Sequence, residues 1–191
     1  MNEQAQETTG ANHVCPVNHA GWLASSLRKL VHNPDAILRG LVREGDTAVD
    51  LGCGPGFFTL PLARLVGREG HVIAVDLQEE MLRMLHGRAE RAGLSSRIQR
   101  HLCTAGSLGL TAKADFALAF YMAHETPDAA AFLREVHGLL SPGGRLLLAE
   151  PRFHVGREAF RRTLALAGTT GFRITAEPRI RFSRAALFAR D

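Results

Sequence analysis

The chain has few cysteines and no cysteine pair. Its 191 residues include only Cys15, Cys53 and Cys103, and no two of them form a C-x-x-C motif. An odd and scattered set of cysteines argues against a disulfide framework and against a four-cysteine zinc site, and it is typical of a reducing compartment. We therefore expect a cytoplasmic protein.

Long apolar runs are also absent. No stretch approaches the roughly 20 apolar residues that a membrane-spanning helix requires. The N-terminal stretch MNEQAQETTGANH is polar and lacks the basic and apolar regions of a secretory signal. The sequence predicts neither a membrane partner nor a secretory route.

Lysine is the scarcest charged residue, with only Lys29 and Lys113 against 21 arginines. The positive charge is concentrated in residues 151–191, which hold nine arginines and three acidic residues. A basic segment of this kind can bind nucleic acid or an anionic ligand. A solvated, arginine-coated surface is the simpler interpretation, so we do not expect a nucleic-acid partner.

Short apolar segments alternate with segments of helical period. The predicted strands are GDTAVDLG, HVIAVDL, RIQRHLC, ADFALAF, RLLLAE, FRITAE and SRAALFAR. This alternation predicts an α/β fold, a Rossmann-like doubly wound sheet. Only PRIRF separates the last two strands, which is too short for a crossover helix, so we expect seven strands ending in a C-terminal antiparallel hairpin.

Four helices are predicted between the strands, at FFTLPLARLVG, QEEMLRMLHGRAERAG, PDAAAFLREVHGLLSPGG and GREAFRRTLALAGTTG. Two shorter amphipathic helices are predicted earlier, at GWLASSLRKLV and NPDAILRGLV, the second with Asn33 as its N-cap and Pro34 in its first turn. We divide the chain into residues 1–44, an N-terminal tail and helical lid, and residues 45–191, the α/β domain.

Three glycines alternate in the turn DLGCGPGFF, directly after the first predicted strand. A phosphate-binding P-loop would need a lysine after its last glycine, and none lies within 20 residues of Gly56. A dinucleotide fingerprint would need the spacing G-x-G-x-x-G, but Phe57 occupies the position of its third glycine. Both phosphate-binding interpretations are therefore weak.

Two carboxylates flank this turn. Asp50 precedes the glycines, and Asp76 ends the next predicted strand 26 residues later. Asp76 would accept the two hydroxyls of a ribose, while Asp50 would face a cationic or hydrogen-bond-donating group. A cofactor with a ribose, no phosphate and a cationic amino-acid end is S-adenosylmethionine, whose product after methyl transfer is S-adenosylhomocysteine.

The segments VDLGCGPGFFTLPLARLVG and VIAVDLQEEML resemble the cofactor-binding half of class I S-adenosylmethionine-dependent methyltransferases. FYMAHETPD and LLSPGGRLLLAEP resemble later blocks of the small-molecule subgroup that includes ubiquinone/menaquinone C-methyltransferases. The resemblance implies that the cofactor is held by Asp50, Gly52, Cys53, Gly54, Gly56, Phe57, Asp76, Leu77, Met81, Ala105 and Tyr121.

The resemblance fails after the third strand. The family usually places an acid or amide there to receive the adenine amino group, whereas this chain reads CTAGSLGL. The backbone at Ala105, or the side chain of Ser107, are the alternatives that remain.

Acceptor chemistry is expected at the end of the fourth strand. His124 is the first candidate base, because imidazole titrates near neutral pH, and Tyr121 and His154 lie on the same predicted rim. The chain lacks a [DN]-P-P-[YF] block, an acidic magnesium cluster and a Lys-Asp-Lys-Glu set. These blocks are typical of enzymes that methylate nucleic-acid bases, metal-bound catechols and ribose hydroxyls, so their absence leaves a small molecule or an uncharacterised protein as the acceptor.

Three alternatives remain open at this point. The basic C-terminal face predicts an RNA or protein methyltransferase, and a non-catalytic cofactor-binding subunit would need no acceptor at all. In the N-terminal segment, His13, Cys15 and His19 are spaced closely enough to bind a soft metal or metalloid, although an ordinary lid is the favoured interpretation and no metal site is predicted. The lid or the hairpin edge would also allow a homodimer.

Overall fold

Seven strands form one mixed sheet in the computed structural model, which describes residues 31–191. The strands are β1 (Thr47–Leu51), β2 (His71–Asp76), β3 (Ile98–Leu102), β4 (Ala114–Phe120), β5 (Leu140–Pro151), β6 (Phe172–Ala176) and β7 (Ser183–Arg190). The α-helices are α1 (Pro34–Leu38), α2 (Thr59–Leu65), α3 (Glu79–Arg91), α4 (Ala129–Leu139) and α5 (Arg157–Thr169). The predicted α/β fold with seven strands is confirmed.

The strand order is β3-β2-β1-β4-β5-β7-β6. The pairs β2–β3, β1–β2, β1–β4 and β4–β5 are parallel, whereas β7 runs antiparallel to both β5 and β6. This confirms the predicted C-terminal hairpin, and it shows that β7 lies between its hairpin partner and the parallel strands. The chain order reverses between β1 and β4, which is the position where open α/β sheets bind ligands.

Successive residues of the central strands point into two separate cores. In β1, Ala48 belongs to a core cluster with α2 and α3, whereas Val49 and Leu51 belong to a cluster with α4 and α5. Both faces of the central parallel strands are therefore covered by helices, which is why these strands read as continuous apolar runs in the sequence.

Helix α1 begins as predicted but ends earlier. The Oδ1 atom of Asn33 accepts a hydrogen bond of 3.2 Å from the backbone N–H of Ala36, so Asn33 is the N-cap. The helix stops at Leu38, and the Arg145 side chain donates to the carbonyl of Leu41, at 2.8 Å. The earlier predicted helix, GWLASSLRKLV, lies almost wholly outside the described residues.

The helix preceding β5 is shorter than predicted. We expected it to continue to the Ser141–Gly144 turn, but α4 ends at Leu139 and Leu140 already belongs to β5, where it pairs with Ala114. The side chain of Arg190 donates hydrogen bonds to the carbonyls of His137 and Leu140. Backbone carbonyls at the end of the helix thus accept hydrogen bonds from a side chain on β7, which is distant in sequence. Local sequence signals do not reveal such a contact.

Gly56 is required by packing in the turn between β1 and α2. Its φ is +87°, a left-handed conformation that side chains with a Cβ rarely adopt, and an added Cβ would collide with Cδ1 of Leu85 on α3. Close contact between the turn and α3 therefore depends on the absence of a side chain at this position.

None of the described helices is long and apolar enough to span a membrane.

We expect Gly56→Ala to lower the free energy of unfolding by about 2 kcal/mol or more, because the strained φ and the collision with Leu85 add together. Gly138→Ala is the matched control, since Gly138 lies in α4 and a Cβ there has nothing within 4 Å. The control should raise stability by about 0.5–1 kcal/mol. Urea unfolding of both variants measures the difference, and equal effects would contradict the packing role of Gly56.

Candidate active site

A cavity of about 1210 Å³ opens at the carboxyl ends of β1 and β4, where the strand order reverses. Its walls come from the turn after β1 and from the loops that follow β2, β3, β4 and β5. All predicted site residues except one line it: Asp50, Gly52, Cys53, Gly54, Phe57, Asp76, Leu77, Met81, Ala105, Tyr121, His124 and His154. The exception is Gly56, which faces Leu85 instead.

Asp76 joins the glycine turn to the end of β2. Its Oδ2 accepts a hydrogen bond of 2.8 Å from the backbone N–H of Gly54, and its Oδ1 accepts one of 2.9 Å from that of Gln78. Burial raises the pKa of this carboxyl, and the hydrogen bonds from Gln78 and Gly54 only partly oppose the shift. Each oxygen of an ionised carboxylate has more than one acceptor site, so Asp76 can still accept hydroxyl groups from the cavity.

Asp50 lies deeper than Asp76 and supports the start of α2. Only 3% of its surface is exposed, and its Oδ2 accepts a hydrogen bond of 2.6 Å from the hydroxyl of Thr59, the first residue of α2. The carboxylate therefore ties the end of β1 to the helix that follows the glycine turn while it also lines the cavity.

Gly52 allows the ends of β1 and β4 to approach each other. A Cβ at this position would lie 2.8 Å from the Cβ of Met122, which follows β4 and lines the cavity. Met122 was not predicted as a site residue, because the contact depends on β1 and β4 being neighbours in the sheet, which no local motif shows.

The loop after β3 is held from α4. The hydroxyl of Thr104 and the backbone of Ser107 exchange two hydrogen bonds of 3.2 Å. Oε2 of Glu135, on α4, accepts hydrogen bonds from the backbone N–H of Leu108, at 2.7 Å, and from the hydroxyl of Ser107, at 3.2 Å. Glu135 and Ala105 both line the cavity. The loop after β3 has no acidic residue of its own, and α4 supplies a carboxylate beside it.

His124 is paired with a buried carboxylate at the other end of the cavity. Its Nδ1 lies 2.6 Å from Oε2 of Glu150, and its backbone N–H donates to Oε1 of the same residue, at 3.0 Å. Glu150 is only 2% exposed at the end of β5. Sequence reasoning missed Glu150, although an acid directly after the apolar run LLLA is a signal that was available.

Two other side chains lie near the His124 imidazole. Oε1 of Glu125 lies 4.0 Å from its Nε2, and the ring of His154 stacks on it with centroids 6.0 Å apart. The pKa of His124 is raised from its ordinary value, mainly by the hydrogen bond with Glu150, against the opposing effect of burial. The imidazole is thus more basic than a free histidine although it is partly buried.

Tyr121 connects three parts of the chain. Its hydroxyl lies 2.7 Å from Oγ of Ser183 and 3.1 Å from Nε2 of His32, and that Nε2 donates to the carbonyl of Arg181, at 2.9 Å. Its φ is +65°, a conformation that is uncommon outside glycine and is enriched at functional sites. The residue therefore fixes the chain before α1 and the turn before β7 to the end of β4.

Comparison with known proteins places this site in a family. A methyltransferase domain model matches residues 43–169, about two thirds of the chain. The chain belongs to this methyltransferase domain family. The match confirms the expected class, an S-adenosylmethionine-dependent methyltransferase, and the expected cofactor.

Two curated relatives and one solved structure illustrate the similarity. The demethylmenaquinone methyltransferase of Lactobacillus johnsonii is 33% identical over 131 residues, which are 68% of this chain and 50% of that protein. The ubiquinone/menaquinone biosynthesis C-methyltransferase UbiE of Escherichia coli is 32% identical over 110 residues, 57% of this chain and 44% of that protein. This methyltransferase domain thus spans about half the length of the curated relatives it matches.

A crystal structure of an S-adenosylmethionine-dependent methyltransferase from Aquifex aeolicus aligns with a TM-score of 0.82 at 22% identity, covering 91% of this chain and 98% of that one. At this level of identity the likeness supports the fold alone.

The N-terminal metal hypothesis lies outside the described residues, because His13, Cys15 and His19 all precede residue 31. The same is true of most of the predicted lid, so its role in covering the cavity stays a prediction. In the described part of the N-terminal segment, Val31 and His32 line the cavity.

We expect the His124–Glu150 pair to stabilise the methyltransferase domain more at low pH than at high pH. The pKa of folded His124 is raised above the ordinary 6.5, so its contribution is fully present below that value and is lost as the pH rises through the folded pKa. The unfolding free energy of the wild type minus that of His124→Gln should therefore be larger at about pH 5.5 than at about pH 8.5. Chemical denaturation at both values tests this, and a difference that grows with pH would contradict it.

Proposed function

We propose that this domain transfers the methyl group of S-adenosylmethionine to a small-molecule acceptor. The observation that carries the proposal is Asp76, a carboxylate held by the backbone N–H groups of Gly54 and Gln78 at the edge of a cavity where the strand order reverses. Both curated relatives are named for small quinone-type compounds, which favours a small-molecule acceptor over RNA or protein.

Asp76 would accept the ribose hydroxyls, with Leu77 and Met81 against the adenine and Ala105 at its edge. The glycine turn from Gly52 to Phe57, with Asp50 behind it, would hold the methionine portion. Bound S-adenosylmethionine supplies an already activated methyl group, so the protein has to align the acceptor and, where needed, remove its proton.

Glu135 takes the place of the acid that the loop after β3 lacks. Its Oε2 is occupied by the N–H of Leu108 and the hydroxyl of Ser107, and the same carboxylate lines the cavity beside Ala105. A carboxylate accepts hydrogen bonds and has no donor. Glu135 would therefore receive the adenine amino group, which donates, and would disfavour a purine that carries an oxygen at this position.

The acceptor would enter between the loops after β4 and β5, where His124 and His154 lie. Tyr121 was a candidate for acid–base chemistry, but its hydroxyl is engaged by Ser183 and His32. That engagement favours a role in shaping the cavity wall.

Both described cysteines, Cys53 and Cys103, are free thiols, which supports a cytoplasmic location. The homodimer stays a prediction.

Asp76→Ala should weaken S-adenosylhomocysteine binding at least about tenfold, because hydrogen bonds to a charged group are worth about 1.5–3 kcal/mol. Asp115→Ala is the matched control. It also removes a carboxylate that accepts from a backbone N–H, that of Thr47 at 2.9 Å, but it does so at the start of β4, away from the cavity. Isothermal titration calorimetry measures the dissociation constant of S-adenosylhomocysteine for both variants. An unchanged affinity in Asp76→Ala would contradict the assignment of this residue to cofactor binding.

Glu135→Gln should reduce discrimination between S-adenosylhomocysteine and S-inosylhomocysteine, in which an oxygen replaces the adenine amino group. The wild type should prefer the adenosyl compound, and the ratio of the two dissociation constants should fall about tenfold in the variant, because the glutamine amide can donate to that oxygen. Glu158→Gln on the exposed surface of α5 should leave the ratio unchanged. An unaltered ratio in Glu135→Gln would place the adenine amino group elsewhere.

A further inference from the structure

Glu150 is a buried charge that the binding of the cofactor does not explain. It lies at the end of β5 with 2% of its surface exposed, and both of its oxygens are directed at His124. A buried carboxylate is costly unless hydrogen bonds compensate for its lost hydration. Among residues 31–191, that compensation comes from His124, at the rim of the cavity.

We propose that Glu150 is a positioning residue that makes His124 the base of this site, and that the acceptor therefore reacts through a hydroxyl group whose proton His124 removes. This inference rests on the proposed function, since it concerns the acceptor end of the same cavity.

The hydrogen bonds select one form of the imidazole. An ionised carboxylate only accepts hydrogen bonds, so the 2.6 Å contact requires Nδ1 of His124 to carry the hydrogen. The second oxygen of Glu150 is held by the backbone N–H of His124, at 3.0 Å, which prevents the carboxylate from rotating away. Neutral His124 then presents a bare lone pair at Nε2.

The cavity side of His124 leaves room for an acceptor. Among residues 31–191, no hydrogen bond to Nε2 is formed, and the neighbouring charged or titratable groups are Glu125, with Oε1 at 4.0 Å, and His154, whose ring is 6.0 Å away. Both carboxylates favour the protonated imidazole, so Glu125 and Glu150 together stabilise the charge that appears when His124 takes a proton. A protonated His154 would have the opposite effect.

The proton and electron balance is complete with these groups and the cofactor. The hydroxyl proton of the acceptor passes to Nε2 of His124 while the acceptor oxygen forms a bond to the methyl carbon. The bond from that carbon to sulfur breaks, and its electron pair stays on the sulfur of S-adenosylhomocysteine. The proton on His124 is afterwards lost to water.

This chemistry distinguishes acceptor classes. A hydroxyl group holds its proton at neutral pH and needs a base as its oxygen becomes a nucleophile. A thiol acidic enough to be a thiolate at neutral pH, such as thiophenol, is already deprotonated and nucleophilic, so a carboxylate–histidine pair gives it no advantage. The geometry therefore points to hydroxyl acceptors rather than acidic thiols.

The first test is a pH titration of the full chain labelled with ¹⁵N-histidine, followed by NMR of the ring nitrogens with and without S-adenosylhomocysteine. His124 should titrate above 6.5, and its neutral form should carry the hydrogen on Nδ1. Glu150→Gln should lower the titration midpoint and mix the two tautomers. A wild type with the hydrogen on Nε2, or a variant with an unchanged titration, would overturn the inference.

The second test measures label transfer from methyl-labelled S-adenosylmethionine to the small-molecule fraction of a bacterial extract and to thiophenol. His124→Gln should reduce labelling of hydroxyl acceptors about 100-fold while S-adenosylhomocysteine affinity is retained. Glu150→Gln should lie between this variant and the wild type, with the acidic limb of its pH profile shifted to lower pH. His86→Gln, on the outer surface of α3, is the control that should label like the wild type.

The outcomes separate the two proposals. Wild-type labelling in His124→Gln, or thiophenol as the preferred acceptor, would overturn the role of His124 and leave the methyltransferase function standing. A wild type that binds no S-adenosylhomocysteine would overturn the proposed function itself, whatever the titration shows. Thermal melting of each variant confirms that a loss of labelling is not a loss of folding.

Discussion

Strand β1 is hydrogen-bonded in parallel to β2 on one side and to β4 on the other, and the rest of the site depends on that arrangement. The connection from β1 to β2 passes over one face of the sheet, while the helix that follows β4 covers the other face. The chain therefore separates at the carboxyl ends of β1 and β4, and a cavity is left where no connection crosses. The turn after β1 lies against this opening because it directly follows the carboxyl end of that strand.

The two ends of the cavity use carboxylates in different ways. At the β2 end, Asp76 accepts backbone N–H groups and remains at the cavity edge, where acceptor capacity is useful for ribose hydroxyls. At the β5 end, Glu150 is buried, and both of its oxygens contact His124. One carboxylate is therefore suited to binding, and the other to adjusting the properties of a neighbouring side chain.

Much of the fold was predictable, because the central parallel strands are buried on both faces and read as apolar runs. The hairpin was predictable from the length of its connection. The end of α4 was not, because its terminal carbonyls are satisfied by Arg190, which is distant in sequence. That Asp50, Asp76 and most of the glycine turn would lie together was predictable, because they follow two strands that are consecutive in the chain. Glu135 and Glu150 were missed because their partners, Leu108 and His124, are more than 20 residues away.

The amino-acid sequence alone determined the layer architecture, the glycine turn and the class of cofactor, since these depend on periodicity and on residues that are near one another along the chain. Only the tertiary structure decided which side chains complete the site. It brought Glu135 to the loop after β3, assigned Gly56 to packing against Leu85, and set Glu150 behind His124. The physical reason is that parallel strands align their carboxyl ends regardless of their separation in sequence. Residues that are neighbours in the cavity can therefore be far apart along the chain.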